Sequence, residues 1–479
     1  MNTYLQVLSA EDRDRVHGST LKILAETGVR VETHIGRRYL RKAGADVNED
    51  TQIVRFPRDL VEEALAIAPK EFSLGARRPG WNLPMNKGDC ALLADGEGIT
   101  AIDHRTGEHR PTTHQDWLDA TRLTDALDEI GVYWAMTEPE QGLESIPGSV
   151  NYWTQLFRNF SKHVQDSSPR AEHSPWLLEV LQVVFGDKKT IRQLHPFSFL
   201  VCPQSPLVIE AQHTDAYLAL NGWDIPVAIM PMPLMGGTGP GNMISMTIQG
   251  NCEVISTLCL VQAANPGTPV IYAPALAVMN PRTGMYAAGA IENALLGSAG
   301  IEMARYYGLP AEGTGGGTDA YAPGIQASYE RAMGLLIPML SWPDLMVGPG
   351  LLGGSMILSL EQLVIDAELI RMSKQAQRGI PTQADAWLQD VIHRVGPRGN
   401  YLGEKSTASN FHSGEWLVPH LGVHETQEAW EKAGRIDIRE EARAKVEELL
   451  STHTPLSLGE DVEKELKHIQ KRAQEISGG

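Results

Sequence analysis

The chain has 479 residues, 42% of them hydrophobic and 21% charged, with 41 Lys plus Arg against 59 Asp plus Glu and a formal charge of −18. This is the balance of a folded globular protein, and with no local basic stripe it argues against a nucleic-acid partner. Four cysteines, Cys90, Cys202, Cys252 and Cys259, form no CxxC pair, and the opening MNTYLQVLSAEDRDRV lacks an apolar signal core, so a disulfide framework and a structural zinc knuckle are excluded, no membrane partner is expected, and the expected location is cytoplasmic.

Ser9 to Thr27 reads as an amphipathic helix with Ser9 as N-cap and Glu11 and Asp12 in its first turn. Arg38 to Ala43, Pro57 to Ala68 and Gln115 to Leu127 have helical spacing, whereas Ala91 to Glu108 alternates and turns at Arg105-Thr106-Gly107, predicting a small hairpin. Residues 1–130 are therefore expected to form an N-terminal α+β extension packed on the central part of the chain. From Gly131 the texture becomes short apolar runs, each trailed by a Gly/Pro-rich loop and a long apolar-periodic segment. The runs are Gly131 to Met136, Lys162 to Asp166, Phe197 to Cys202, Pro226 to Pro231, Pro269 to Ala273, Pro310 to Thr314, Leu345 to Gly348 and Asn400 to Gly403. Helical segments are clearest at Asn242 to Ala264, Ala287 to Tyr307, Gln326 to Leu340 and Leu360 to Gln377. Repeated βα units of this number predict an α/β fold, a (β/α)8 TIM-type barrel over residues 131–430. Charged helices with sparse apolar stripes, Asp437 to Leu450 and Asp461 to Ile476, make up residues 431–479 and should pack on the barrel flank or on a second subunit.

In such a barrel the loops after the strands form the active face. Three of them are glycine-rich: Gly236-Gly237-Thr238-Gly239-Pro240-Gly241, Gly315-Gly316-Gly317-Thr318-Asp319 and Gly350-Leu351-Leu352-Gly353-Gly354. None has dinucleotide or P-loop spacing. They serve either as tight turns or as a low rim that lets something large and flat approach. His104, His109 and His114 fall five apart, but no carboxylate or cysteine joins them at zinc spacing, so no metal site is expected. Nothing pairs Cys202 or Ser205 with a base, and Cys252 and Cys259 share a helix face with Ile248 and Ile255, which reads as core. Aromatic residues cluster near the expected rim. Quaternary ammonium ions offer no N–H donor and are held by aromatic faces assisted by a carboxylate. Trp134, Tyr272 and Tyr321 with Glu138 and Asp319 would make such a cage, against the alternative of ordinary packing. Arg282, after the fifth run, is the nearest expected rim cation for a carboxylate tail.

Several runs, in order along the chain, resemble the trimethylamine methyltransferase family. They are Leu8-Ser-Ala-Glu-Asp12, Leu24-Ala-Glu-Thr-Gly-Val29, the MPMPLMGGTGP run from Met230 to Pro240, NPGTPVIY from Asn265 to Tyr272, RTGMY from Arg282 to Tyr286, GGGTDA from Gly315 to Ala320, QASYE from Gln326 to Glu330, and SLEQLVID from Ser359 to Asp366. The resemblance implies a TIM barrel that binds a methylated amine and passes a methyl group to the Co(I) of a corrinoid, the cobalamin being supplied by a separate small protein and not bound tightly here. One branch of that family carries pyrrolysine. This sequence uses only the standard twenty residues, and so looks like the other branch, which demethylates quaternary amines such as glycine betaine. The resemblance adds Gln326 to the substrate-binding candidates, gives Asp319 and Glu138 a positioning role, and turns Gly236, Gly237, Thr238, Gly315, Gly316, Gly353 and Gly354 toward the corrinoid. It departs at Gly403-Glu-Lys-Ser-Thr407, where Ser406 stands at a place expected to be His in many relatives, with His412 a weak substitute. Two readings of other classes stay open: a non-catalytic quaternary-amine binding barrel, and a hydrolase or lyase on the same scaffold. Homo-oligomerisation is also left open.

Overall fold

The short apolar runs pair in parallel. The computed structural model describes residues 3–88, 90–137 and 143–477, and its centre is an eight-stranded sheet. The strands are β1 (Ala91–Leu93), β2 (Ile130–Tyr133), β3 (His163–Asp166), β4 (Phe197–Val201), β5 (Val227–Ile229), β6 (Val270–Tyr272), β7 (Glu312–Gly313) and β8 (Leu345–Val347). The hydrogen-bonded order runs β6, β5, β4, β3, β2, β1, β8, β7, and a parallel bridge from Tyr272 to Ala311 joins β6 to β7 and closes the barrel. Strands buried on both faces explain why these runs are nearly all apolar and not alternating. Ala91, Leu93, Val132, Leu200, Ala228, Ile271, Ala273 and Leu345 fill the interior as one cluster. Alternate residues such as Tyr133, Phe199 and Tyr272 face the surrounding helices.

The expected TIM-type barrel is present, with a change of one strand. Asn400 to Gly403 is no strand but an exposed turn. Its expected place, between Leu345–Val347 and the strand at Gly131, is taken by Ala91–Leu93, which pairs with both neighbours. Barrel closure thus draws on a segment expected in the N-terminal extension. The three-residue run Ala91–Leu93 is too short to show a period of its own. The hairpin around Arg105–Gly107 does form, but from Thr100–Ile102 and His109–Pro111. It joins Leu351–Leu352 and Ile357–Leu358 in a second, four-stranded sheet at the edge of the barrel mouth.

Helix α1 (Ala10–Glu26) is started by a capping box in which the Ser9 side chain accepts from the Asp12 N–H and Asp12 accepts from the Ser9 N–H. It packs, together with helices His34–Lys42 and Arg58–Ile67, on the helix Met243–Ala264. That last helix is long and apolar enough to cross a membrane by length and composition alone, and 78% of its apolar window is buried in the core. Cys252 and Cys259 are buried in it as expected. The helices Ile438–Thr452 and Glu460–Ser477 pack on the barrel's own flank. Val446 and Ala442 are buried by the first, and Leu466, Ile469 and Ala473 by the second.

Candidate active site

Above the interior layer the strand ends open into a cavity of about 360 Å³. Asp95 and Gly96 follow β1, Trp134 follows β2, Met230 and Met232 follow β5, Ala275 and Ala277 follow β6, Thr314 to Gly317 follow β7, and Val347 and Gly348 end β8. Tyr286 and Ser355 reach in from the outer loops. The wall formed by these residues is largely apolar, with two aromatic side chains and one carboxyl. The Asp95 carboxyl accepts from the Ser355 hydroxyl at 2.6 Å and from the Gly96 N–H at 3.1 Å. Burial nevertheless pushes its pKa above the ordinary value, with the Ser355 bond and the Arg331 charge opposing.

One inward-facing layer below Thr314 lies a second carboxyl, Glu312. It is buried, its oxygens accept from the Gln165 amide at 3.0 and 3.2 Å, and burial pushes it up to about 8. Gln165 in turn accepts from the Ser198 hydroxyl at 3.2 Å, and Ser198 meets His163 Nε2 at 2.9 Å. His163 Nδ1 is 3.0 Å from the Gly75 carbonyl, and burial pushes this imidazole down to about 3, so it stays neutral at ordinary pH. The Cys202 thiol, also among the interior residues, is pushed up to about 12, first by burial and then by the Glu312 charge. A thiol held protonated in this way is no nucleophile.

Two charged side chains hold the glycine-rich loops. Arg331 is fully buried; it donates to the Gly316 and Leu351 carbonyls and lies 3.6 Å from Asp366. Asp366 accepts from the Gly350 N–H at 2.7 Å and from the Gln362 amide at 2.7 Å. One buried ion pair therefore fixes the loops after β7 and β8 against each other. Glu330 does the same for Thr318 and Asp319, accepting from the Thr318 hydroxyl and from the Asp319 N–H at 2.9 Å.

The model of a family described as trimethylamine methyltransferase matches residues 1–477. The chain belongs to the trimethylamine methyltransferase family. It is 28% identical to the trimethylamine methyltransferase MttB of Desulfitobacterium hafniense strain DCB-2, over 98% of this chain and 94% of that protein. It is 29% identical to the glycine betaine methyltransferase of Desulfitobacterium hafniense strain Y51, over 98% of each chain. Among solved structures, MtmB in complex with hydroxylamine superposes with a TM-score of 0.50 at 12% identity, over 92% of this chain and 93% of that one, and shares the fold. Members of the family are amine methyltransferases that work with corrinoid proteins.

The residues expected to cooperate are only partly brought together. Trp134 lines the cavity. Tyr272 does not: with Ile271 and Ala273 pointing inward, the alternation of the strand turns it out, where its hydroxyl donates to Asn251 at 2.7 Å beside Tyr307. Arg282 and Asp319 line an adjoining groove of about 650 Å³ with Met235, Gly236 and Glu292. Asp319 accepts there from the Ala288 N–H at 2.8 Å. Tyr321 stands 73% exposed on the rim, and Gln326 is exposed and donates to Glu330 at 3.0 Å. Glu138 lies outside the described residues. Ser406 sits in the short helix Lys405–Asn410, which contributes nothing to the cavity lining. Of the glycines, Gly315 and Gly316 line the cavity, Gly236 lines the groove, Gly237 and Thr238 are exposed, and Gly353 and Gly354 are half-buried beside Tyr321 and Tyr286 respectively. Tyr286, one of the aromatic residues expected near the rim but not placed in the cage, does line the cavity, and the residues that sequence reasoning passed over are Asp95 and Glu312. The available signal was a charged residue inside or ending an apolar run, in ALLAD and in PAEGT.

Proposed function

We propose that this protein takes a methyl group from a quaternary amine of the betaine class and delivers it to the Co(I) of a corrinoid carried by a separate small protein in the cytoplasm. The single observation that carries the reading is the cavity at the barrel mouth. It offers the Trp134 and Tyr286 faces, methionine side chains and the buried Asp95 carboxyl, and the thiol beneath it, Cys202, is held protonated. A trimethylammonium group is recognised by aromatic faces, methyl contacts and negative charge; Trp134, Tyr286 and the methionines supply the first two, and Asp95 and the underlying Glu312, both with a pKa raised by burial, supply the charge when a bound cation draws off their protons. Breaking one N–CH₃ bond leaves the electron pair on nitrogen as a neutral amine, so no proton need be moved. Positioning and exclusion of water do the work. The buried Arg331–Asp366 pair keeps the mouth loops in one arrangement for this purpose.

The corrinoid, when its carrier docks, supplies the two-electron nucleophile. The rim fits that arrival. Gly236, Gly237, Gly353 and Gly354 present no side chain, and around them Met232, Met356, Tyr321 and Ile325 are 48%, 45%, 73% and 87% exposed. An apolar ring round an opening marks a surface covered by a partner. Arg282, in the adjoining groove, is the cation placed to read a carboxylate tail.

The test is to monitor loss of the Co(I) absorbance of a reduced corrinoid protein on adding this enzyme with glycine betaine, with trimethylamine in a parallel run. Turnover of the betaine, leaving dimethylglycine, is expected. Turnover of trimethylamine alone would overturn the substrate class, and calorimetric binding of betaine without any transfer would favour a binding-only barrel.

A further inference from the structure

The barrel interior is mostly Ala, Leu, Val and Ile, and one file of polar side chains crosses it. His163 and Gln165 of β3, Ser198 of β4 and Glu312 of β7 are all buried. Gln165 and Ser198 stand opposite each other in the β3–β4 register, and His163, two residues before Gln165, shares its face. Polar groups in such a place are costly unless donors and acceptors match. From the mouth downward the file runs Glu312, Gln165, Ser198, His163 and the Gly75 carbonyl, with contacts of 3.0, 3.2, 2.9 and 3.0 Å.

The far end fixes the direction of donation. A carbonyl can only accept, and Gly75 is buried, so His163 must give its Nδ1 proton there. A neutral imidazole carries one proton. That leaves Nε2 as an acceptor, and the proton it accepts is the one on the Ser198 hydroxyl. Ser198 then accepts from the Gln165 amide N–H, which leaves Gln165 Oε1 to accept from Glu312, and only a protonated carboxyl can donate. The opposite amide orientation, with Nε2 against Glu312, suits a carboxylate. It draws the Ser198 proton to Gln165 Oε1, however, and leaves lone pairs of Ser198 Oγ and His163 Nε2 facing each other at 2.9 Å. The two orientations are a half turn of one amide apart and occupy nearly the same heavy-atom positions. A second proton on His163 would mend the contact, but burial and the neighbouring His195 both oppose that charge. The titratable neighbour on the Glu312 side, the Cys202 thiol, stays protonated.

We propose that Gln165, Ser198 and His163 are positioning residues that act through Glu312, a one-way hydrogen-bond relay anchored at the Gly75 carbonyl that keeps this carboxyl neutral until a cation above it draws off the proton. The Glu312 O–H bond then breaks, the proton leaves to solvent, and the Gln165 amide turns to face the carboxylate. A buried negative charge thus exists only while a cation is there to pair with it. The inference rests on the proposed function in one respect, the position of the bound cation over Glu312.

Infrared titration of the unliganded full chain tests the relay without substrate, following the protonated Glu312 carboxyl as the band missing from Glu312→Gln. In Ser198→Ala the two amide orientations make equal numbers of bonds, so the Glu312 midpoint should fall by about one pH unit. Glycine betaine should then bind about tenfold tighter near pH 6, whereas a merely structural loss would weaken it. Ser198→Thr keeps the hydroxyl and should titrate like wild type. Should Ser198→Ala fail to fold, nitrogen-15 spectra of the wild-type protein near pH 6, with His163 assigned through His163→Gln, should show the Nδ1–H tautomer. An unchanged or raised Glu312 midpoint in Ser198→Ala, or an Nε2–H tautomer of His163, would overturn the proposal. A lowered midpoint with no gain in betaine affinity would uphold the relay and count instead against the placing of the cation over Glu312.

Discussion

Glu312 makes the sharpest statement at the level of a single side chain. Its folded pKa of about 8 stands above the ordinary 4.5, so the fold prefers the neutral acid. Its stabilising contribution is complete below about pH 4.5 and is lost as pH rises toward about 8. A cation bound above it favours the carboxylate instead. Binding of glycine betaine below pH 8 should therefore release a proton, and affinity should climb up to tenfold per pH unit before levelling off. Titration calorimetry in two buffers of different ionisation enthalpy reads the proton directly. In Glu312→Gln, which keeps the contact to Gln165, the proton release and the pH slope should both vanish. Trp134 and Tyr272 give a paired test of the inward and outward positions. Trp134→Ala should weaken betaine binding by about 2 kcal/mol. Tyr272→Phe should leave affinity unchanged while costing about 1 kcal/mol of stability, since it loses only the bond to Asn251. Equal effects on affinity would mean that Tyr272 faces the cavity after all.

At the level of loops and helices, the glycines of the rim divide by what surrounds them. A Cβ on Gly316 would come 2.7 Å from Leu335 Cδ2 and 3.2 Å from the Val347 carbonyl oxygen, whereas one on Gly237 meets nothing closer than 3.5 Å. Gly316→Ala should therefore lower the melting temperature by several degrees, and Gly237→Ala should melt like wild type; the reverse order would show the loop after β7 to be slack. The same division explains what was legible in the sequence. Long periodic helices with a recognisable cap, such as Ala10–Glu26 behind Ser9 and Met243–Ala264 behind Asn242, announce themselves within a residue or two of their ends. So do barrel strands that lead into long helices. Ala91–Leu93 was hidden because a three-residue strand takes its identity from partners at Leu345–Val347, far along the chain. The site suffered likewise. Trp134 was found from position, but whether Tyr272 faces in or out turns on register by one residue. Glu312 was overlooked because a carboxyl within a strand is informative only once the barrel interior around it is known.

Across the molecule as a whole, the last helix acts as a strap. Glu463 accepts from Arg158 at 2.7 and 3.0 Å, and Leu466, Ile469 and Ala473 bury against the core that holds Trp153 and Leu177. Removing residues 459–479 should cost several kcal/mol through the apolar area laid bare and lower the thermal midpoint, with betaine binding retained at low temperature; loss of binding there would mean that the flank reaches the mouth. Barrel closure carries a further consequence, for synthesis. Leu345, Met346 and Val347 pair with Ala91, Leu92 and Leu93, so one of the first strands to leave the ribosome waits for the last. Until Val347 has emerged, β1 and the strands after it form an open sheet with a free edge. An unpaired edge held open for most of translation is a template for pairing with another chain. Nascent chains stalled before Leu345 should consequently aggregate or be captured by chaperones, and those released beyond Val347 should escape, so the time spent waiting for one distant strand sets the yield of folded enzyme in the cell.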